Sequence, residues 1–312
     1  MIVSGVVTKS VGGLFTVRTD VEYNGKRELD AHAKGAFKHN KITLLAGDRV
    51  DVEIDDHGEM YINKIHERKN SLIRPPLSNL DIIFVVISCK RPAPLYETID
   101  KMISIAEYNK IEPVIVITKS DLDPEFASEA YSIYSKAGFK TFITSSETGE
   151  GCETILEYIR EISQKKDIVC AFSGASGAGK STIINKIFPS LKLETGDLSR
   201  KIERGKNTTR TTELFPLDSL IGEGHLGYLA DTPGFSLLDF ERFDFFSLEE
   251  LKDTFREFGE VEGKCRYTKC THTKEEGCNI IERVKTGEIS KTRHNSYVAL
   301  FAILKAKPRW KK

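Results

Sequence analysis

The stretch Gly174-Ala175-Ser176-Gly177-Ala178-Gly179-Lys180-Ser181 has the spacing G-x-x-x-x-G-K-[ST], a pattern suited to gripping phosphate. Its glycines let the backbone turn tightly, so that successive N–H groups surround an anion at the start of a helix. Lys180 is expected to reach the β- and γ-phosphates of a nucleoside triphosphate. The Ser181 hydroxyl is expected to join the shell of Mg²⁺, with Thr182 next to it among the nucleotide contacts. The preceding run DIVCAFSG reads as a buried strand and the segment from Lys180 to Ile187 as a helix, the context that such a loop needs. Which base is bound, and which reaction follows, must be read elsewhere, because kinases, ATPases and GTPases share the loop.

Thr118-Lys119-Ser120-Asp121 closes the apolar strand EPVIVIT and resembles the guanine-specificity motif N-K-x-D of GTPases. In that motif the aspartate accepts hydrogen bonds from guanine N1–H and the exocyclic amine, which adenine cannot supply. The lysine stem lies along the base, and the asparagine ties the loop to the phosphate loop. Thr118 replaces that asparagine, leaving the tie open. Ser145, Ser146 and Glu147 end the next strand, where GTPases carry a loop whose N–H meets guanine O6. Asp231-Thr-Pro-Gly234 ends another strand, with Asp231 placed to hold Mg²⁺ through water and the Gly234 amide to meet the γ-phosphate. Between them RGKNTTRTT lies where a switch loop would close, with Thr208 or Thr209 as magnesium ligand and Asn207 just before them.

A second kind of chemistry lies near the C-terminus. Cys265, Cys270, His272 and Cys278 offer three thiolates and an imidazole in a short segment, a set suited to one structural tetrahedral Zn²⁺. Four protein ligands leave no open position, which argues against a catalytic metal. Cys89, Cys152 and Cys170 are scattered singly and read as reduced, buried apolar residues. His225 and His294 read as surface or packing residues.

Those residues need elements to hold them. At 312 residues the chain is long enough for two or three domains. With 39% hydrophobic and 29% charged residues it is neither a disordered nor a membrane composition. No apolar run approaches the ~20 residues of a membrane span, and the opening lacks a signal-peptide pattern, so a cytoplasmic protein is expected. Five short β-rich runs with turns at Asn24-Gly25 and His57-Gly58 predict a small barrel over 1–72, OB-like or SH3-like, and a candidate RNA binder. The segment ERKNSLIRPP reads as a linker. Alternating strands and helices then predict a mostly parallel α/β sheet with helices on both faces across 73–240. Residues 241–312 are expected to form a helical zinc-binding domain. The formal net charge is zero, yet residues 260–312 hold 13 Lys or Arg against 6 Asp or Glu, a basic surface that could meet phosphate backbones or be a solvated tail.

The base-recognition loops precede the phosphate loop, switch and DTPG, the reverse of ordinary small GTPases, so the domain is expected to be a circularly permuted P-loop GTPase domain. Motif by motif, the whole chain resembles the RsgA (YjeQ/EngC) family of circularly permuted, small-ribosomal-subunit-dependent GTPases. The resemblance rests on the barrel, the R-K-N-x-L-x-R-P run from Arg68 to Pro75, the permuted motifs, the cysteine-histidine cluster and Arg293-His-Asn-Ser-Tyr297. It implies GTP and GDP as ligands with Mg²⁺, and slow GTP hydrolysis stimulated by the 30S subunit. It further implies a role in late subunit maturation through rRNA contacts, with the chain acting as a monomer and no membrane partner. Two residues depart from hydrolytic GTPases: Phe235 stands where a water-orienting glutamine is usual, and Asn207 where the family usually has histidine. An ATP-using P-loop enzyme and a non-catalytic, nucleotide-sensing rRNA-binding scaffold are the rival readings.

Overall fold

The computed structural model describes residues 1–35, 37, 42–72, 75–193, 212–231, 247–259 and 263–307. The chain opens with β1 (Ile2–Val11), β2 (Leu14–Tyr23), β3 (Lys26–Ala33), β4 (Arg49–Ile54) and β5 (Met60–Ile65). A short pair, β6 (Ser71–Leu72) and β7 (Leu77–Ser78), leads to β8 (Ile82–Ser88) and α1 (Tyr96–Tyr108). Then come β9 (Glu112–Thr118), α2 (Pro124–Lys136), β10 (Thr141–Ile143), α3 (Cys152–Ser163), β11 (Ile168–Gly174) and α4 (Lys180–Ile187). The remaining elements are β12 (Glu213–Pro216), α5 (Leu217–Ile221), β13 (Gly227–Asp231), α6 (Arg256–Gly259), α7 (Asn279–Lys285) and α8 (Lys291–Ala306). None of the described helices is long and apolar enough to cross a membrane.

β1 to β5 close a barrel in the order β1-β2-β3-β5-β4, with β3 and β5 parallel and the other pairs antiparallel. This is the OB arrangement rather than a simple meander. Strict alternation in β4 drives it: Val50, Val52 and Ile54 face a core shared with Val7, Val17 and Ile62, while Arg49, Asp51 and Glu53 face outward. The segment read as a linker is firmly held. Arg68 grips the fully buried Asp48 with two hydrogen bonds of 2.6 and 2.7 Å, and Ser78 donates to the same carboxylate at 2.7 Å. The two prolines do forbid helix, but polar side chains fasten what they leave irregular.

A second sheet has the order β10-β9-β8-β11-β13-β12. β9 with β10 and β11 with β13 are parallel, and the edge strand β12, which sequence periodicity did not reveal, is antiparallel to β13. Every residue of β8 and β11 is buried, which explains why they read as unbroken apolar runs.

Contacts among the described residues cluster into two compact units, one drawn from 1–82, 157–172 and 190–235, the other from 83–156, 173–189 and 236–312. In the first, the barrel is joined to the β12–α5 segment by Lys9 to Glu213 at 2.9 Å and Arg18 to Asp218 at 2.7 Å. In the second, the fully buried Arg293 of α8 bonds Asp100 of α1 at 2.6 Å and Glu257 of α6 at 2.8 and 3.2 Å. Burial pushes the Asp100 carboxyl up, and the guanidinium pulls against it. Arg256 holds Glu107 and Glu112, and both guanidinium groups lie over the Phe139 ring, at 4.7 Å for Arg256 and 5.3 Å for Arg293.

Removing Arg293 would leave two buried carboxylates without a countercharge, a cost of about 3–5 kcal/mol. Arg293→Met should therefore unfold at markedly lower urea when followed by circular dichroism. Adding Asp100→Leu and Glu257→Met should recover most of the loss, since the uncompensated charges go with them.

Candidate functional site

The loop that follows β11 and leads into α4 lies, with that helix, in the second unit. Gly174 lies so close to β8 that a Cβ there would meet the Val86 carbonyl oxygen at 2.4 Å, so only glycine fits. Ala175, Ser176 and Gly177 line an exposed rim, Ala178 is buried, and Gly179, at φ +96°, leads into the first turn of α4. Lys180 is folded back over the loop, donating from Nζ to the carbonyls of Gly174 at 2.7 Å and Ala175 at 2.9 Å. Burial pulls its ammonium down to about 8. Ser181 is partly exposed and Thr182 exposed on the same turn.

The base-side loops lie against this one. Thr118 is 1% exposed, and its hydroxyl donates to the Ala178 carbonyl at 2.6 Å. The threonine thus keeps a direct tie between the two loops, which the sequence left open. Lys119, in the left-handed region at φ +59°, donates from Nζ to the Gly177 carbonyl at 2.9 Å and also to the Arg91 carbonyl. Arg91, which follows β8, was missed by motif reading because it contributes a backbone oxygen that any residue type carries. Burial lowers the Lys119 ammonium, although Asp121 counteracts it.

Asp121 is exposed, and one of its carboxylate oxygens accepts the Ser145 hydroxyl at 2.5 Å. Ser145 is fully buried, receives the Thr148 N–H on its own oxygen at 3.2 Å, and so fixes the direction of the carboxylate. The Ser120 N–H donates to the Thr144 carbonyl at 3.2 Å, joining the loops after β9 and β10. Ser146 is half-buried and Glu147 exposed on the same turn. Gly151 closes it at φ +70°, where a Cβ would strike the Ile143 carbonyl oxygen at 2.0 Å. Asp123 then caps α2 by accepting the Phe126 N–H, with Pro124 in the first turn. Thr118, Lys119, Ser120, Asp121 and Ser145 are therefore bonded into one network with Gly177 and Ala178. Asp231 ends β13, paired with Glu213 of β12 in the first unit. Asn207, Thr208, Thr209 and Gly234, with Phe235, lie outside the described residues.

The cysteine cluster is equally well defined. The donor atoms of Cys265, Cys270, His272 and Cys278 all lie within 4.8 Å of one another. The His272 ring nitrogen Nδ1 is 3.4 Å from the Cys278 sulfur and 3.7 Å from that of Cys265. Burial pushes the Cys270 thiol up to about 12 and raises Cys278, while it lowers His272 and keeps the imidazole neutral. Thiolates here need an adjacent cation, and a neutral imidazole is ready to ligate one, so the donor set fits Zn²⁺. The Asn279 N–H points at the Cys265 sulfur at 3.4 Å. The Arg293–Tyr297 run supports the loop from behind: His294 Nε2 donates to the His272 carbonyl at 2.7 Å, and the Tyr297 hydroxyl to that of Thr271 at 2.9 Å. His294 and His225 are both buried packing residues, the latter paired with the Ser163 hydroxyl.

Comparison with known proteins identifies the family. The family model RsgA GTPase matches residues 65–241, and the RsgA N-terminal domain matches residues 4–62. A relative from Caldanaerobacter subterraneus, named small ribosomal subunit biogenesis GTPase RsgA, is 37% identical over 98% of this chain and 97% of its own. One of the same name from Staphylococcus aureus is 35% identical over 96% of each. Among solved structures, YjeQ from Thermotoga maritima superposes with a TM-score of 0.80 at 31% identity, covering 99% of this chain and all of that one. YloQ, described as a circularly permuted GTPase, gives 0.76 at 30% identity, covering 99% of this chain and 98% of its own. With its guanine-type loop ahead of its phosphate loop and both bonded together, this chain belongs to the RsgA family of circularly permuted GTPases.

Proposed function

We propose that this protein hydrolyses GTP in the cytoplasm as a maturation factor of the small ribosomal subunit, touching its rRNA through the regions that flank the nucleotide site. The observation that carries the reading is the Thr118 hydroxyl on the Ala178 carbonyl, a bond between the two loops that supports their acting on one nucleotide. The working division is barrel at 1–72, nucleotide region at 73–240 and zinc region at 241–312. The names of the relatives support the ribosomal assignment.

In this reading Asp121, steered by Ser145, accepts the two guanine donors, and the backbone around Ser146 and Glu147 meets O6. The Lys119 stem runs along the base. The N–H groups from Ala175 to Thr182 surround the phosphates, and Lys180 swings from its carbonyl partners onto the β- and γ-phosphates. Ser181, Asp231 and Thr208 or Thr209 would hold Mg²⁺, which when bound neutralises the charge developing on the phosphates. The Gly234 amide would meet the γ-phosphate. Cys265, Cys270, His272 and Cys278 would hold one structural Zn²⁺ and thereby fix the loop that α8 supports.

Phe235 cannot orient an attacking water, and Asn207 can hydrogen-bond one but cannot act as a base. Intrinsic turnover should therefore be very slow and rise when small subunits order the switch. Single-turnover hydrolysis measured with and without purified small subunits checks this, and rapid hydrolysis by the free protein would contradict it.

Asp121→Asn removes an acceptor of two charge-assisted hydrogen bonds. GDP affinity should fall roughly a hundredfold, about 2.7 kcal/mol, and xanthosine diphosphate should bind better than GDP, as read by calorimetry. Equal loss for both nucleotides would separate Asp121 from base recognition.

Lys180 loses its proton as pH rises through about 8 in the free protein. Phosphates favour its charged form, so nucleotide binding should take up about half a proton at pH 8 and almost none at pH 6.5. Calorimetric titrations in buffers of different ionisation enthalpy measure this directly, and the uptake should vanish in Lys180→Ala.

A further inference from the structure

The barrel is closed between β3 and β5 through two residue pairs, His32 with Tyr61 and Ala33 with Ile62. From Lys26 to Ala31, β3 is bonded to β2 along one edge and has no strand partner along the other among the described residues. Between that free edge and the turn from β4 to β5 lies a cleft of about 330 Å³, lined by Lys26, Glu28, Asp30, His32, Glu59 and Met60 among others. A strand edge left open for six residues, about 20 Å of extended chain, is a template for another strand.

The charge around the cleft selects what that strand can be. Glu28, Asp30 and Glu59 face a single Lys26, and the turn adds Asp55 and Asp56. Glu28 is poorly compensated: Arg18 is 4.0 Å away and makes its closer contact, 2.7 Å, with Asp218. Along β3, Leu29 and Ala31 point into the core while Glu28, Asp30 and His32 are exposed, so the acidic side chains alternate along the outer face. An added strand would set every second side chain beside them. Phosphate backbones are repelled by this rim, whereas lysine or arginine at alternate positions is attracted.

We propose that this cleft binds an extended, lysine- and arginine-rich segment of a partner protein, added as a further strand along the free edge of β3. Backbone hydrogen bonds to residues 26–31 would hold it, and Glu28, Asp30 and Glu59 would select its charge. The site lies within the barrel and uses no group assigned to nucleotide chemistry, so it stands or falls separately from GTP hydrolysis.

The full-length protein can be titrated against a fluorescein-labelled decapeptide of alternating lysine and valine, read by anisotropy, with and without excess oligouridylate. Saturable binding is expected, weakening as salt rises, with no competition from the oligonucleotide and none from the matching glutamate-valine peptide. The triple variant Glu28→Lys, Asp30→Lys, Glu59→Lys changes exposed side chains only. It should bind at least tenfold more weakly while turning over GTP at the parent rate and keeping the parent's circular dichroism spectrum and urea midpoint, which report that the barrel is folded. Amide exchange at residues 27–31 should slow when the peptide is added to the parent protein. Absence of saturable binding, undiminished binding by the triple variant, displacement by oligouridylate or unchanged exchange along β3 would each overturn the proposal.

Discussion

The loop after β9 is bonded directly to the loop before α4, and the Thr118 hydroxyl makes the buried part of that tie. Thr118 is buried at the end of β9 and donates to the carbonyl of Ala178 in the middle of the phosphate loop. The bond is 2.6 Å long, and an unpaired carbonyl at that depth would cost about 1–3 kcal/mol. Lys119 adds a second link to the neighbouring Gly177, so two consecutive residues of one loop hold two consecutive residues of the other. The spacing of the two loops is thereby held by one short and one long side chain, each donating to a backbone carbonyl of the Gly174–Ser181 loop.

That arrangement also explains why the motif order can be reversed at little cost. The loops meet through hydrogen bonds across the ends of strands, so what matters is which strands are neighbours, and the direction of the chain between them is immaterial. Close approach does the rest: Gly174 sits on the Val86 carbonyl and Gly151 on that of Ile143, leaving no room for a side chain at either position. Ser145 completes the design by reaching from the β10 loop to the Asp121 carboxylate.

Much of this was legible in the residues. The P-loop spacing, the apolar runs of β8, β9 and β11, and the alternation in β4 each have a physical period that survives without coordinates. The cysteine-histidine set also converged as its spacing implied. What escaped reading was structure carried by backbone oxygens and by long-range pairs. Nothing in the run from Glu67 to Pro76 announces that Arg68 will clamp a buried Asp48. The antiparallel edge strand β12 is four residues long, too short for a period to register. The tie made by Thr118 could not be read because a threonine hydroxyl is as ready to bond its own turn as a distant carbonyl.

The pairing of Asp100 with Arg293 spans 193 positions of the chain. During synthesis α1 emerges with its carboxylate and must keep it hydrated, because no countercharge yet exists to let it sink into the interior. That face of α1 can be sealed only after the cysteine-bearing segment has been made and has brought α8 into place. A region translated nearly two hundred residues later thus acts as the keystone for the first helix of its unit. An interrupted translation product would carry an open seam there, visible to quality-control proteases as unburied apolar surface beside a stranded charge.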